Sequence, residues 1–140
     1  MKQFALKIHY FSDILVPPEE VTILGDKTVR ADRSVSYQCL ASNANPAPII
    51  EWSINGQLVS AGVNTSPAKS GRRSFNTAKG DQAVNGWSVS STLNLDVTGD
   101  DSRISLRCQS ISRDHLGQTM TATEELEVLV LSKLKSLKYF

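Results

Sequence analysis

Hydrophobic and polar positions alternate with a period of two through most of this chain, which is the signature of half-buried strands. Val35, Tyr37, Cys39 and Ala41 share one parity, and Ser34, Ser36 and Gln38 take the other. Ile50, Trp52 and Ile54 alternate with Glu51 and Ser53, and Asn55-Gly56 follows at once. That pair is a strong hairpin signal, because both turn residues must tolerate positive φ, and it predicts a returning strand over 57–59. Trp87, Val89, Ser91, Leu93, Leu95 and Val97 form the longest alternating face, opposite Ser88, Ser90, Thr92, Asn94 and Asp96. Ile104, Leu106 and Cys108 form another, and Met120, Ala122, Leu126, Val128 and Val130 the last. Glu124 falls on that last inward face, which predicts a strand end or a bulge there.

Val21–Leu24 reads as a first edge strand. Asn43 to Pro48 reads as a loop, and residues 60–86, rich in Ser, Gly, Asn and Lys, as irregular structure with one short edge strand over 73–76. No helix is predicted between 17 and 130. About seven short strands separated by Gly, Pro and Asn turns predict an all-β, two-sheet antiparallel sandwich with Greek-key connections.

The ends differ from this body. Phe4, Leu6, Ile8 and Tyr10 alternate in a flank, 1–16, which closes at Pro17-Pro18. Residues 17–130 make the predicted domain. Residues 131–140 carry leucines at 131, 134 and 137 among lysines, a basic tail too short to be a stable helix alone and expected to be unstructured or non-native. The N-terminus is a poor signal peptide, and no run approaches the length of a membrane span. The chain therefore reads as a fragment of a larger protein, or as a reading frame with imperfect ends.

Charge excludes little except by its balance. With 15 Lys and Arg against 14 Asp and Glu, the net charge of +1 provides no general field for nucleic acid or membrane. Two cysteines permit one bridge. In a reducing compartment they would instead be isolated thiols or half a metal site. Both lie at inward positions of separate strands, with Trp52 thirteen residues after Cys39 and Cys108 sixty-nine after it. If those strands belong to opposite sheets, the sulfurs can meet across a core of ~10 Å.

These residues resemble the immunoglobulin superfamily. The resemblance rests on Tyr37-Gln38-Cys39, on Pro46-Ala47-Pro48-Ile49-Ile50-Glu51-Trp52-Ser53-Ile54-Asn55-Gly56, on Ser90-Ser91-Thr92-Leu93-Asn94-Leu95 and on Leu106-Arg107-Cys108. It covers about residues 15–130 and is similar to the constant-type domains of cell-adhesion receptors of the nephrin, Kirre, sidestep and beaten-path kind. The resemblance implies an inter-sheet disulfide between Cys39 and Cys108, with Trp52 packed against it. It also implies recognition of another cell-surface protein, itself of this superfamily, on the extracellular side of the plasma membrane or in secreted form. Leu15-Val16-Pro17-Pro18 looks like a linker between tandem domains. One departure stands out: the family's usual tyrosine two residues before the second cysteine is Leu106 here, which fills the core but lacks the hydroxyl of a tyrosine corner.

Other residues add less. Asn64-Thr65-Ser66 is a sequon on the polar stretch, so Asn64 is a glycan acceptor if the chain is secreted. Ser112, Asp114 and His115 lie close in sequence, but adjacency does not build a triad, and no enzyme activity is expected. Glu19-Glu20, Asp100-Asp101 and Glu124-Glu125 lack the ligand spacing of a calcium loop, and the cysteines and histidines lack that of a zinc site, so no metal or cofactor is expected. Lys69, Arg72, Arg73 and Lys79 form a small basic cluster that reads as a solvated surface. Two alternatives share the fold: a spacer domain with no ligand of its own, and a cytosolic muscle-type domain with free thiols.

Overall fold

The computed structural model describes residues 16–77, 80–100, 102–111 and 119–130, with backbone alone for 72–77 and 80–85. Ten strands lie among them: β1 Glu20–Leu24, β2 Thr28–Arg30, β3 Arg33–Ala44, β4 Ile49–Ile54, β5 Gln57–Val59, β6 Val63–Thr65, β7 Lys69–Thr77, β8 Gly80–Val97, β9 Arg103–Ile111 and β10 Met120–Leu129. They form two five-stranded sheets. The first runs β1-β3-β8-β6, with β7 also paired to β8; the second runs β2-β10-β9-β4-β5. All described pairings are antiparallel except β2 with β10. The flank before Val16 and the tail after Val130 lie outside the described residues.

The alternation read from the sequence becomes the packing. Tyr37, Cys39, Trp52, Leu93, Leu106 and Cys108 are each at most 1% exposed and fill the space between the sheets. The Cys39–Cys108 disulfide joins β3 to β9 at a Cα separation of 6.4 Å. Trp52 lies in register with Cys108 on the neighbouring strand. The hairpin after β4 closes as its residues require: Ile54 pairs Gln57, and Asn55 and Gly56 have φ of 51° and 84°. Asn55 Oδ1 accepts from the Ser105 amide at 2.8 Å, tying the turn to β9.

Three parts differ from the sequence reading. Residues 60–86 are largely strand. β6 and a nine-residue β7 appear there, and β8 begins at Gly80. Their composition hides them, because a stretch rich in Ser, Gly, Asn and Lys carries no apolar alternation to mark a strand. Glu124 sits in an unbroken register, opposite Leu106, with no bulge. It is only half-buried, and the Lys27 ammonium meets its carboxylate at 3.7 Å, so the strand tolerates it in place. The short β2, Thr28–Arg30, had too few residues to show a period.

Leu106 is fully buried. The hydroxyl-to-backbone bond that it cannot make is made elsewhere, where Tyr37 on β3 donates to the Asp26 carbonyl at 2.6 Å. Gly25 allows the ring to lie flat under that turn, since a Cβ there would sit 2.2 Å from Tyr37 Cδ1. Burial, aided by the Asp26 carboxylate, raises the Tyr37 pKa above its ordinary 10.0. A tyrosine whose folded pKa exceeds its unfolded one favours folding below the unfolded value and loses that contribution as pH rises through the folded one.

Reducing the disulfide is expected to remove about 4 kcal/mol of stability, the chain-entropy value for a loop of this span, read as a shifted urea midpoint. Tyr37→Phe is expected to lose about 1 kcal/mol at neutral pH. It should also flatten the alkaline fall of stability above pH 10, measured by urea titrations across that range. An unchanged alkaline slope would show that Tyr37 is not the titrating group.

Candidate functional site

The two outer faces of the sandwich have opposite characters. On the first sheet, alternate residues of β3 and β8 pair their polar groups with one another. Ser34 Oγ bonds the Asp96 carboxylate, Ser36 Oγ donates to Asn94 Oδ1 at 2.6 Å, and Gln38 Nε2 donates to Ser90 Oγ at 2.7 Å. This face is largely neutral and its hydrogen-bonding capacity is partly spent on itself. Leu24 and Leu40 are its exposed apolar residues, at 57% and 39%.

The second sheet presents charge. The outward positions of β9 carry Arg103 and Arg107, those of β10 carry Glu125 and Glu127, and β4 carries Glu51. The register sets Thr123, Arg107, Ser53 and Leu58 in one row across four strands. Among the described residues, none of these five charged side chains is ion-paired, so their charge remains available to a partner. Ser53, which the alternation of β4 places on this outer face beside Glu51, is only 2% exposed. A short side chain in register between Arg107 and Leu58 lies below the level of its neighbours. Glu51, Arg107 and Leu58, which is 66% exposed, form the accessible surface instead.

Between the sheets the sandwich opens along one edge, where β5 ends one sheet and β6 ends the other. An apolar groove of about 530 Å³ runs there beside Pro46, Pro48, Ile50, Ala68 and Val89. A second, of about 370 Å³, shares Ile50 and reaches Trp52, Leu58 and Val63. The Asn45–Pro46 peptide is cis, and Pro46, Ala47 and Pro48 form the rim; Asn43 and Ala44, read from the sequence as part of this loop, belong to β3, where Ala44 still pairs Trp87. Behind the grooves a polar thread crosses the core. The Trp52 indole donates to Ser91 Oγ at 2.9 Å, and Ser91 Oγ shares a hydrogen bond with Thr65 Oγ1 at 2.9 Å. Ser91 interrupts an otherwise apolar face for this reason: a buried indole N–H requires an acceptor. Its place among Trp87, Val89 and Leu93 was visible in the sequence; its partner on the opposite sheet was not.

Cys39, Cys108, Trp52 and Leu106 are thus scaffold, all in the core. Asn64 stands exposed in β6, opposite Thr92. Lys69 is exposed, while the side chains of Arg72 and Arg73 and all of Lys79 lie outside the described residues. So do Ser112, Asp114 and His115, and with them the 112–118 loop. Among the described residues no group of three or more His, Cys, Asp or Glu is placed to hold a metal ion. No helix there is long and apolar enough to cross a membrane.

Removing the acceptor with Ser91→Ala is expected to cost about 1–3 kcal/mol, the penalty for an orphaned buried donor. A urea titration and the Trp52 indole N–H resonance would register it; a loss below roughly 0.5 kcal/mol would mean that another acceptor takes over.

Solved structures agree with this architecture. The Rst D1-D2 crystal structure superposes with a TM-score of 0.59 at 20% identity, over 83% of this chain and 50% of that one. The mouse nectin-like molecule 4 full ectodomain, Ig1-Ig3, gives 0.58 at 20% identity, over 83% of this chain and 35% of that one. The chain therefore spans half or less of each. No curated protein sequence matches it closely enough to count as a relative. Residues 15–119 match the profile described as CD80-like C2-set immunoglobulin domain, and with the disulfide, the two sheets and Trp52 in place the chain belongs to that family.

Proposed function

We propose that this chain is a recognition module of a cell-surface adhesion or receptor protein, which binds another protein of the immunoglobulin superfamily through the outer face of β10, β9, β4 and β5. The observation that carries the reading is the contrast between the faces. One sheet satisfies much of its polar surface internally. The other holds arginines and glutamates at positions fixed by strand register, with an exposed leucine at its rim, a composition that gives a partner both electrostatic register and apolar contact. The Cys39–Cys108 bridge supports an oxidising, extracellular location over the cytosolic alternative. The adhesion ectodomains that share the fold support the same placement. Asn64, the acceptor asparagine under this reading, belongs to the other sheet, so a glycan there would leave the charged face clear.

The spacer alternative is favoured by one observation. The chain arrives at one end of the sandwich, where Val16 pairs Asn45, and leaves at the other beyond β10, as a link in a tandem array would.

The test is a multivalent binding screen of the oxidised chain against extracellular immunoglobulin-domain proteins. Arg107→Glu is expected to weaken a captured interaction at least tenfold. Ser36→Ala, on the opposite face, is expected to leave it unchanged. Absence of any captured partner, with binding held by flanking domains, would establish the spacer. A partner indifferent to Arg107→Glu would move the contact to another surface.

A further inference from the structure

β8 outruns its sheet. Its pairing with β3 ends at Trp87, opposite Ala44, yet the strand extends back to Gly80. Over Gly80–Gly86 its described partner is β7 alone, from Gly71 opposite Gly86 to Thr77 opposite Gly80. The result is a two-stranded ribbon standing out from the end of the sandwich where Val16 enters it. Two strands without a third are marginal in water.

The root of this ribbon is fixed. Gly71 and Gly86 face each other where Asn43 lies across them. A Cβ on Gly86 would sit 2.9 Å from Asn43 Cα, and one on Gly71 3.0 Å from its Oδ1. Asn43 has a φ of 54° and is held in place: its amide donates to Ser88 Oγ at 3.0 Å, and its Nδ2 donates to Glu19 Oε2 at 3.0 Å. The ribbon's direction is therefore set by the domain.

Its two edges differ. β7 carries Lys69, Arg72 and Arg73, and cationic residues on an edge strand discourage further pairing. The edge of β8 over Gly80–Gly86 carries one charge, Asp81, and lies where β3 would run if it continued. We propose that this edge pairs antiparallel with the same segment of a second copy about a two-fold axis at Ala83, joining two ribbons into one four-stranded sheet. In that register Asp81 falls opposite the partner's Asn85 and Gln82 opposite the partner's Val84, so no like charges oppose each other. The β7 strands become the outer edges, and their cations stop the sheet from growing, which makes the assembly a closed dimer. This surface is separate from the charged face, and the inference stands whether or not that face binds a partner.

The experiment uses the full, oxidised chain. Sedimentation equilibrium across a concentration series should show monomer and dimer. Ala83→Pro, which removes an edge N–H, should weaken association at least tenfold, with far-UV circular dichroism confirming the sandwich. Independently, Ala83→Cys should give a disulfide-linked dimer under mild oxidation, and Ser36→Cys, on the outer sheet face, should not. A chain that stays monomeric throughout overturns the inference. So does an Ala83→Cys cross-link no more abundant than that of the control, or a dimer that Ala83→Pro leaves intact.

Discussion

The core works as a sandwich because its two sheets are tied across the middle at adjacent points by different physics. The disulfide joins β3 to β9 and limits the unfolded chain. One strand away, the Trp52 indole fills the largest volume in the core and reaches Ser91 on the opposite sheet. A sandwich of this size buries a limited area, so a covalent tie and a satisfied polar thread weigh heavily in its balance. Everything functional is displaced outward by this arrangement. The residues most specific to the family are those least able to touch a partner.

The outer surfaces then divide the work. The face that spends its hydroxyls and amides on itself is a poor candidate for specific recognition. The charged face keeps unpaired groups at rows fixed by strand register, so their spacing is set before any partner arrives. A burial pattern refines that picture at Ser53, where alternation alone placed a surface residue and the neighbouring side chains cover it.

Legibility in the sequence followed burial. Strands with one wet and one dry face, β3, β4 and β9, showed clean alternation and were read nearly to their ends. The Asn55-Gly56 turn was read from conformational need alone. β7 and the early part of β8 were hidden, since their sequence is polar at both parities and has no apolar period to announce a strand. Three-residue strands such as β2 and β6 are held by their neighbours, and no local period can reveal them. The missing tyrosine at Leu106 was visible, but the Tyr37–Asp26 bond was not, because it depends on a turn eleven residues away in sequence and on a glycine that admits the ring. For the site, residue types on each face were readable, whereas which groups remain unpaired required coordinates.

The single parallel pairing has a mechanical meaning. β2 and β10 lie side by side near the end from which the chain departs, with Ala31 N donating to the Leu129 carbonyl and Glu127 N to the Lys27 carbonyl, each at 2.8 Å. Tension drawn between the two termini would pull these strands past one another lengthwise. Their hydrogen bonds would be loaded together in shear, and none could be peeled open before the rest. Force along the chain would thus meet a pair of strands that must slide rather than unzip.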